Sequence, residues 1–595
     1  MAEEMPGLVN TPAPPKRDEK IERVEYPDGT SCDVIFTKMV KGLPLEELKQ
    51  VPREDAMNFN LEVPINTHTY DVNEHVICMQ DCPVVMRDGV TIYVDIYLPR
   101  TSEKVPLIVS WSFFGKRPWE QPVSPMRPMG VPMGTVSDTC KFESSDPLFW
   151  CYQGYAVANA DPRGIGNSEG DFQCFGTQDG RDGYDFIEWA AAQSWSNGRV
   201  GLFGNSGVAM SQWRVAAECP PHLSCIAPWE ATGDMYRESL KEGGIPGAFG
   251  GAVVYGTAGR GFIDNMAAMC HKEPFVTSPY WQDKIPQFDK IKIPVYATAC
   301  WNHFHLHGSW EGFNKIKSSK KWMRVHSEFE WPDTYNSKNL LDLKLFFDRY
   351  LKDIYNGWEI TPRIRLEVMD AFNYSYQVDR PETRFPLERT VYKELYLNAA
   401  DCTLNDELPA ESAELSYDGE TGEANFTYTF AEDTELTGHL KLRLYVEARG
   451  HDEMDFFAFV KKDSTDGEEL PILLFGSERH PGSWGKLRTS ARHLDEDLST
   501  PDHPVHTFDR VEKLEPGQIV PIDIQIYPIS RIWHKGQKLR VQVAGRYIRD
   551  EWFEPLIWFA DNKGEHVIHT GGEYASHLLV PIIPPRYQDG EYTYR

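Results

Sequence analysis

Four short apolar runs, each without regular polar alternation, constrain the fold of this chain most strongly. They cover residues 105–111 (VPLIVSW), 155–160, 200–204 and 294–300. A strand that is apolar on both faces is typical of a parallel sheet covered by helices on both sides. In a sheet with one solvent-exposed face, apolar and polar residues would alternate along each strand. The sequence therefore predicts an α/β architecture with a buried, mainly parallel sheet.

Helical and hairpin patterns flank these runs. Residues 182–193 (DGYDFIEWAAAQ) carry apolar side chains at helical spacing, and residues 207–217 directly follow a predicted strand. Residues 84–99 hold two alternating runs joined by Asp88-Gly89, and this pattern predicts a β-hairpin.

The pattern changes along the chain in a way that predicts several domains. Short alternating runs separated by turn residues begin near residue 363 and are typical of a β-sandwich. Before residue 75 we expect an irregular extension with one strand at 31–37 and a short helix at 44–50. The predicted parts are an extension at 1–74, an α/β core at 75–228 and 288–362, an inserted cap at 229–287 and a β-sandwich at 363–595.

Charge and cysteine content limit the partners and the compartment. The 61 basic and 89 acidic residues give a net charge of −28, which argues against nucleic acid or an anionic membrane as a partner. No apolar stretch of about 18 residues occurs and no apolar segment follows the acidic start, so we expect neither a membrane span nor a secretory signal. The 11 scattered cysteines favour reduced thiols in a cytoplasmic protein.

The strongest local motif lies at residues 200–213 (VGLFGNSGVAMSQW), where a predicted strand leads through a tight turn into a predicted helix. Ser206 stands at the apex of this turn, between Gly204 and Gly207. A strand, a sharp turn and a helix with serine at the apex present a nucleophile to substrate. Val208 stands where the usual motif has its final glycine.

Several segments together resemble the cocaine-esterase-like (CocE/NonD-type) branch of the X-Pro dipeptidyl-peptidase-like hydrolases. The resemblance extends from about residue 84 to about residue 579. The segments are residues 161–170 (DPRGIGNSEG), 184–189 (YDFIEW), 195–200 (WSNGRV), 204–213, 321–326 (KWMRVH) and 515–545.

This resemblance implies an α/β-hydrolase core with an inserted helical cap and a C-terminal β-sandwich of the jelly-roll type. It also implies acyl hydrolysis through a Ser–His–Asp triad, without a metal or an organic cofactor. Ser206 matches the family nucleophile. His326 matches the general base, which would take the proton of the serine hydroxyl.

The sequence departs from the family where the triad acid is expected. The segment after the run at 294–300 reads Trp301-Asn302-His303 and contains no carboxylate. Asn302 or His303 stands in its place, and an amide can orient an imidazole but cannot offset the charge of an imidazolium. Three carboxylates elsewhere are alternatives, namely Glu311, Glu328 and Asp333.

A second departure concerns the oxyanion hole. In the family a tyrosine hydroxyl after the first core strand joins a backbone N–H, but here Phe114 holds that position and has no donor. The N–H of Gly207 remains one candidate donor, with Ser112 or a backbone group as another. Losing one such donor typically costs roughly 3 kcal/mol of transition-state stabilisation.

Aromatic residues and one histidine are candidates for a substrate pocket between cap and core, because ligand cavities are mostly apolar. His305 best matches a histidine that the family carries in a loop. The aromatic candidates are Trp119, Trp229, Tyr236 and Phe249.

The run His303-Phe304-His305-Leu306-His307 also permits a metal site. On a strand its three imidazoles would face one side. No further cysteine or carboxylate pattern completes a known spacing, so we expect a loop or pocket wall here and no metal.

The sequence thus predicts a serine hydrolase that cleaves an ester, amide or lactone of a small organic molecule through an acyl-serine intermediate. Two alternatives stay open. The fold could serve another reaction on a small metabolite, such as acyl transfer, cyclisation, elimination or carbon–carbon cleavage, or the protein could be a catalytically dead binding protein. A small-molecule substrate is the expected partner, and a homodimer is compatible with the sequence.

Overall fold

The computed structural model describes residues 17–40, 64–117, 130–132, 134–372, 374–473, 479–548 and 557–585. Within these residues no helix is long and apolar enough to cross a membrane. The eleven cysteines all fall within the described residues, and all have free thiols.

Strands and helices alternate in the first two thirds of the chain, and strands dominate the last third. In chain order the strands are β1 (Glu19–Glu25), β2 (Ser31–Lys38), β3 (His68–Asp71), β4 (Val76–Val85), β5 (Thr91–Pro99), β6 (Val105–Trp111), β7 (Ala156–Asp161), β8 (Ser196–Asn205), β9 (Leu223–Trp229), β10 (Phe262–Asp264), β11 (Val295–Cys300), β12 (Lys321–His326), β13 (Ile364–Met369), β14 (Ser375–Glu382), β15 (Val391–Asn398), β16 (Thr403–Asn405), β17 (Ala413–Asp418), β18 (Glu423–Thr429), β19 (Thr434–Arg449), β20 (Asp455–Asp463), β21 (Ser483–Arg488), β22 (Val520–Trp533), β23 (Lys538–Ala544), β24 (Glu565–Thr570) and β25 (His577–Ile583). The α-helices are α1 (Pro147–Tyr152), α2 (Thr177–Ala191), α3 (Ser206–Ala217), α4 (Phe249–Gly256), α5 (Met266–Lys272), α6 (Pro279–Asp283), α7 (Leu306–Lys315), α8 (Glu330–Thr334) and α9 (Ser337–Leu351).

One twisted sheet forms the core of the α/β part, in the order β3-β4-β5-β7-β6-β8-β9-β11-β12-β13-β14. The strands from β7 to β13 in this order are parallel. The four apolar runs form β6, β7, β8 and β11, which confirms the predicted parallel sheet. Along β6, Val109 joins the core cluster that contains α2 and α3, and Ile108 joins the cluster that contains α1 and α9. Both faces of the sheet are therefore covered.

Parallel strands determine where the polar residues meet. The carboxyl ends of β8, β9, β11 and β12 lie at the same edge of the sheet, because these strands are consecutive neighbours in one direction. The residues that follow them, beginning at Ser206, Glu230 and Trp301, are therefore brought together, along with His326 at the end of β12. Ligands of open α/β sheets bind at this edge.

The N-terminal region is more regular than the sequence predicted. The predicted strand at 31–37 is confirmed as β2, and the predicted hairpin at 84–99 is confirmed as the pairing of β4 with β5, with Gly89 at φ +89°. However, β2 also pairs with β1 and with β10 of the predicted cap, so residues 17–40 form a three-stranded sheet with that insertion. The predicted helix at 44–50 lies outside the described residues.

The C-terminal region is all-β, with antiparallel pairings around β19, which contacts β22, β24 and β25. A second apolar cluster fills this region. The run at 363–368, which was predicted to begin the β-sandwich, forms β13 and extends the central sheet parallel to β12. Its residues alternate in burial, and it lies next to the antiparallel edge strand β14.

The three-stranded sheet gives a test of whether residues 17–40 are integral to the fold. Phe36 of β2 is 1% exposed and belongs to the main core cluster. We expect Phe36→Ala to cost about 3–5 kcal/mol and to lower the midpoint of thermal unfolding, because truncation leaves a cavity. Ile21→Ala in β1 is the control, since Ile21 is 66% exposed, and should leave the midpoint unchanged. Equal midpoints for wild type and Phe36→Ala in a thermal scan would contradict this packing.

Candidate functional site

The predicted turn at Ser206 has the strained geometry of a nucleophile elbow. Ser206 opens α3 directly after β8 and has φ +51°, a left-handed conformation that non-glycine residues seldom adopt. A Cβ on Gly204 would lie 2.2 Å from Val208 Cγ1, and one on Gly207 would lie 2.9 Å from Phe114 Cε2. Only glycine fits at these two positions, so the sequence can present Ser206 at the apex without a clash.

The hydrogen-bond partner of Ser206 is His305. The Oγ of Ser206 lies 3.0 Å from Nε2 of His305, which is fully buried in the turn between β11 and α7. The sequence predicted His326 in this role and His305 in a pocket wall. In the structure His305, and not His326, is the imidazole beside Ser206, because the loop after β11 carries His305 across the end of the sheet.

His326 belongs to a separate buried network. Its Nδ1 lies 2.9 Å from the carbonyl oxygen of Glu328, and its Nε2 lies 2.8 Å from Oε1 of Glu230 and 3.3 Å from Oδ2 of Asp333. Arg324 donates two hydrogen bonds to Asp333, of 2.7 and 2.6 Å. Burial lowers the pKa of His326, but the charges of Asp333 and Glu230 outweigh it, so the net shift raises this pKa above its usual value.

No carboxylate among the described residues holds the second ring nitrogen of His305, since its Nδ1 is buried without a hydrogen-bond partner there. Burial and the neighbouring His303 lower the pKa of His305 well below its usual value. At neutral pH His305 is therefore an uncharged imidazole, the form that accepts a proton.

The residues at the expected position of the triad acid have other partners. Asn302 donates through Nδ2 to the carbonyl oxygen of Ser327, at 3.0 Å. The backbone N–H of His305 donates to Nδ1 of His303, at 3.2 Å, and Nε2 of His303 is 3.1 Å from Oε1 of Glu330. His303 therefore lies between His305 and Glu330.

Two of the three alternative carboxylates have charged partners, since Glu311 pairs with Lys315 and Asp333 with Arg324. Asp333 also lies 3.3 Å from His326, and Glu328 contacts His326 through its backbone carbonyl. Among the described residues none of the three is hydrogen-bonded to Nδ1 of His305.

The N–H of Gly207, the predicted oxyanion donor, contacts an acidic side chain that the sequence did not indicate. Glu143, which lies between β6 and α1, accepts a hydrogen bond from the N–H of Gly207 on Oε2, at 3.2 Å, and one from Nε1–H of Trp331 on Oε1, at 3.0 Å. Its own carbonyl accepts from the N–H of Asn205, at 2.9 Å. No spacing or local pattern distinguishes Glu143, because its role depends on a long loop that folds back onto the elbow.

Burial and mutual repulsion favour the protonated form of two carboxyl groups at this site. The pKa of Glu143 is raised well above its usual value by burial first and then by the charge of Glu330. The pKa of Glu330 is likewise raised well above its usual value, by burial and the charge of Glu230. A carboxyl group that keeps its proton has an O–H that can donate a hydrogen bond.

Phe114 lies beside the elbow, as the sequence predicted, and offers no donor. Its ring packs against Phe113 and Phe142, with centroid distances of 4.3 and 4.9 Å. The hydroxyl of Ser112, the other candidate donor, accepts a hydrogen bond from the backbone N–H of Phe114, at 3.0 Å.

The predicted pocket residues fall in different places. Phe249 packs against Phe304, the residue before His305, with ring centroids 6.0 Å apart. Trp229 is instead a core residue between Phe203 and Tyr296, because β9 directs it into the second face of the sheet. Tyr236 packs on Trp281 and donates to the carbonyl of Pro274, while Trp119 lies outside the described residues.

Two groups of side chains near this segment could in principle hold a metal ion. His303, His305 and Glu330 each place one potential ligand atom within 4.8 Å of the others, as do His307, Glu311 and His503. In the first group Nε2 of His305 is bonded to Ser206 and Nε2 of His303 faces Glu330, so this group is part of the serine site.

Comparisons with known proteins show which proteins this chain is similar to. Residues 88–262 match the family model of the X-Pro dipeptidyl-peptidase (S15 family), and residues 356–579 match the C-terminal non-catalytic domain of the same peptidases. A crystal structure of a CocE/NonD family hydrolase from Staphylococcus aureus superposes with a TM-score of 0.80 at 34% identity, covering 86% of this chain and 94% of that one. Cocaine esterase from Rhodococcus sp. (strain MB1 Bresler) is 24% identical over 84% of this chain and 97% of its own length. An α-amino acid ester hydrolase shares the fold, with a TM-score of 0.64 at 17% identity over 86% of this chain and 97% of that one.

The buried network around His326 predicts a pH-dependent stability. A histidine whose pKa is raised on folding stabilises the native state below its unfolded pKa, and this contribution is lost as the pH rises through the folded value. We expect His326→Gln to lower the midpoint of thermal unfolding more at pH 6 than at pH 9. The exposed His75→Gln is the control and should give no such difference. A His326→Gln effect that is constant with pH in thermal scans would contradict the network.

Proposed function

Since the chain belongs to the CocE/NonD family of hydrolases, whose catalytic domain has the α/β-hydrolase fold, we propose that it cleaves an ester or amide bond of a small organic molecule through an acyl-Ser206 intermediate, with His305 as the general base. Its enzyme class follows from the family, while the residue roles and the substrate are our inference.

The observation that carries this proposal is the 3.0 Å hydrogen bond between Ser206 and His305 at the elbow. A serine hydroxyl becomes a nucleophile when a neutral imidazole takes its proton. His305 is uncharged at neutral pH and lies within the distance that proton transfer requires.

The reaction would then proceed in two steps. The Oγ of Ser206 attacks the acyl carbon while Nε2 of His305 accepts the hydroxyl proton, and the same proton passes to the leaving alkoxide or amine. A water molecule then attacks the acyl-serine and loses its proton to His305, which passes that proton to Oγ of Ser206 as the acyl–oxygen bond breaks and the acid is released. Without a carboxylate behind it, His305 would be held by packing against His303 and Phe304 instead of by an ionic partner.

We further propose that Glu143 supplies the oxyanion donor that Phe114 cannot. Its carboxyl lies on the N–H of Gly207, where the acyl oxygen of a substrate attacked by Ser206 would lie. A substrate oxygen that takes this N–H leaves the acid O–H of Glu143 next to it, with Oε1 still held by Trp331. A carboxylic acid kept neutral by its surroundings can stabilise an oxyanion in this way.

The side chains around the elbow favour an apolar acyl group. Phe114 and Phe142 pack edge to face beside Gly207, and Phe304 and Phe249 lie next to His305. Aromatic walls with a few polar groups are typical of small-molecule sites.

A different reaction on an acyl group is the second candidate. It is favoured by one observation, namely that Nδ1 of His305 finds no carboxylate among the described residues. Removing the charge behind the imidazole typically lowers hydrolysis by orders of magnitude. Acyl transfer or cyclisation, in which a substrate alcohol or amine replaces water, would use the same serine.

A fluorophosphonate probe tests the assignment of nucleophile and base. We expect stoichiometric labelling located at Ser206 by peptide mass spectrometry and abolished by Ser206→Ala. Ser211→Ala, one turn later in the same helix, is the matched control and should keep the labelling. His305→Gln should slow labelling by about 100-fold or more, because the base is lost, whereas folded His326→Gln should label like wild type. Slow labelling in His326→Gln with normal labelling in His305→Gln would contradict this assignment and identify His326 as the general base.

The acid role of Glu143 makes a separate prediction. We expect Glu143→Ala to lower kcat for a p-nitrophenyl ester by about 100- to 1000-fold, and Glu143→Gln, whose amide still donates, to retain most of it. With Glu143 present, kcat should fall as the pH rises through its raised pKa, and Glu143→Gln should remove this decline. The groups that surround it are Ser206, Glu330, Trp331 and Tyr335. A kcat for Glu143→Ala equal to that of wild type would rule out the donor role.

A further inference from the structure

The run of three histidines after β11 is divided between two sites by the start of α7. His305 precedes the helix and contacts Ser206, whereas His307 lies in its first turn and contacts the C-terminal β region. The amide of Gln525 in β22 is 3.3 Å from Nε2 of His307, and the ring of Tyr527 is 5.9 Å from its ring centre. His307 therefore has surroundings of its own, which the serine site does not use.

A cavity of about 210 Å³ lies between α7, the predicted cap and the C-terminal β region. Most of the residues that line it are polar or charged. Among them are His307, Glu311, Lys315, Glu238, His503 and Gln525.

Two imidazoles and one carboxylate converge in this cavity. The Oε1 of Glu311 lies 3.3 Å from Nε2 of His503 and 3.8 Å from Nε2 of His307. His307 and Glu311 are four residues apart on α7 and so share one face, while His503 comes from the long connection between β21 and β22. All three ligand atoms lie within 4.8 Å of one another. Ligand atoms bound at about 2.0–2.2 Å to one zinc ion stand at similar separations.

The surroundings orient two of the three proposed ligands. The other oxygen of Glu311, Oε2, is 2.8 Å from Nζ of Lys315, which leaves Oε1 directed at the two imidazoles. Nε2 of His503 is buried without a hydrogen-bond partner among the described residues, and its ring packs on His439, with centroids 4.6 Å apart.

From this geometry we propose that His307, Glu311 and His503 bind a divalent metal ion of the zinc class, with the cavity providing room for a fourth ligand. Two imidazole nitrogens and one carboxylate oxygen are a donor set that zinc accepts. The ion would join α7 to the C-terminal β region two residues after His305. It would act as a structural clamp on the loop that carries His305, which Tyr527 also holds by donating to the carbonyl of Phe304, at 3.1 Å.

The test is zinc binding to the full chain after treatment with a chelator. We expect uptake of about one zinc per chain by elemental analysis, and a rise in the midpoint of thermal unfolding when zinc chloride is added, because the ion binds only the folded state. Both effects should be lost in His503→Gln and in Glu311→Gln. His506→Gln is the matched control, since His506 lines the same cavity outside the ligand set, and it should behave like wild type.

Cobalt gives a second readout that does not depend on variants folding. Cobalt(II) added to the chelator-treated wild-type protein should produce visible absorption bands of a four-coordinate site at one ion per chain, and zinc should displace them. The absence of these bands, or zinc uptake that is unchanged in both ligand variants, would overturn the proposal and leave an ion-paired cluster of Glu311 with Lys315.

Discussion

The hydrogen bond between Ser206 and His305 joins two parts of the chain that are about one hundred residues apart, and the site depends on it. On one side, a residue in the left-handed conformation presents the hydroxyl at the end of β8. On the other, a loop without regular structure carries the imidazole from the end of β11. Both strands belong to the same parallel sheet, and their order brings the two ends to one edge. The elbow strain is sustained because the sheet, two glycines and the packing of Phe113 and Phe114 leave no other conformation.

Burial of acidic groups is the second feature of this site. Glu143 and Glu330 lie in an environment where an ionised carboxylate would lose its hydration and face other negative charges. Such groups keep their protons, and a protonated carboxyl changes from an acceptor into a donor. The N–H of Gly207 therefore lies beside a carboxyl group that can donate a hydrogen bond, although the neighbouring Phe114 cannot. Asp333 and Glu230 raise the pKa of His326, whereas burial and His303 lower that of His305.

The sequence predicted the parts of this structure that depend on local patterns. The apolar runs identified the parallel strands, and the glycines around Ser206 identified the elbow. The base could not be identified in this way, because His305 and His326 both follow neighbouring parallel strands and so reach the same edge. Two features of the fold distinguish these histidines. The path of the loop after β11 places His305 beside Ser206, and the carboxylate of Glu230 contacts His326. Glu143 was missed for a similar reason, since it lies in a loop that is distant from Gly207 in the sequence and contacts Gly207 only in the folded chain. The jelly-roll form of the C-terminal β region stays a prediction.

The most direct test of the account is a crystal structure of the protein after phosphonylation of its reactive serine. We expect the phosphorus on Oγ of Ser206, with Nε2 of His305 within hydrogen-bond distance of the adduct. We also expect one phosphonyl oxygen between the N–H of Gly207 and the carboxyl of Glu143. An adduct whose nearest imidazole is His326, or whose oxygen faces away from both Gly207 and Glu143, would contradict the account.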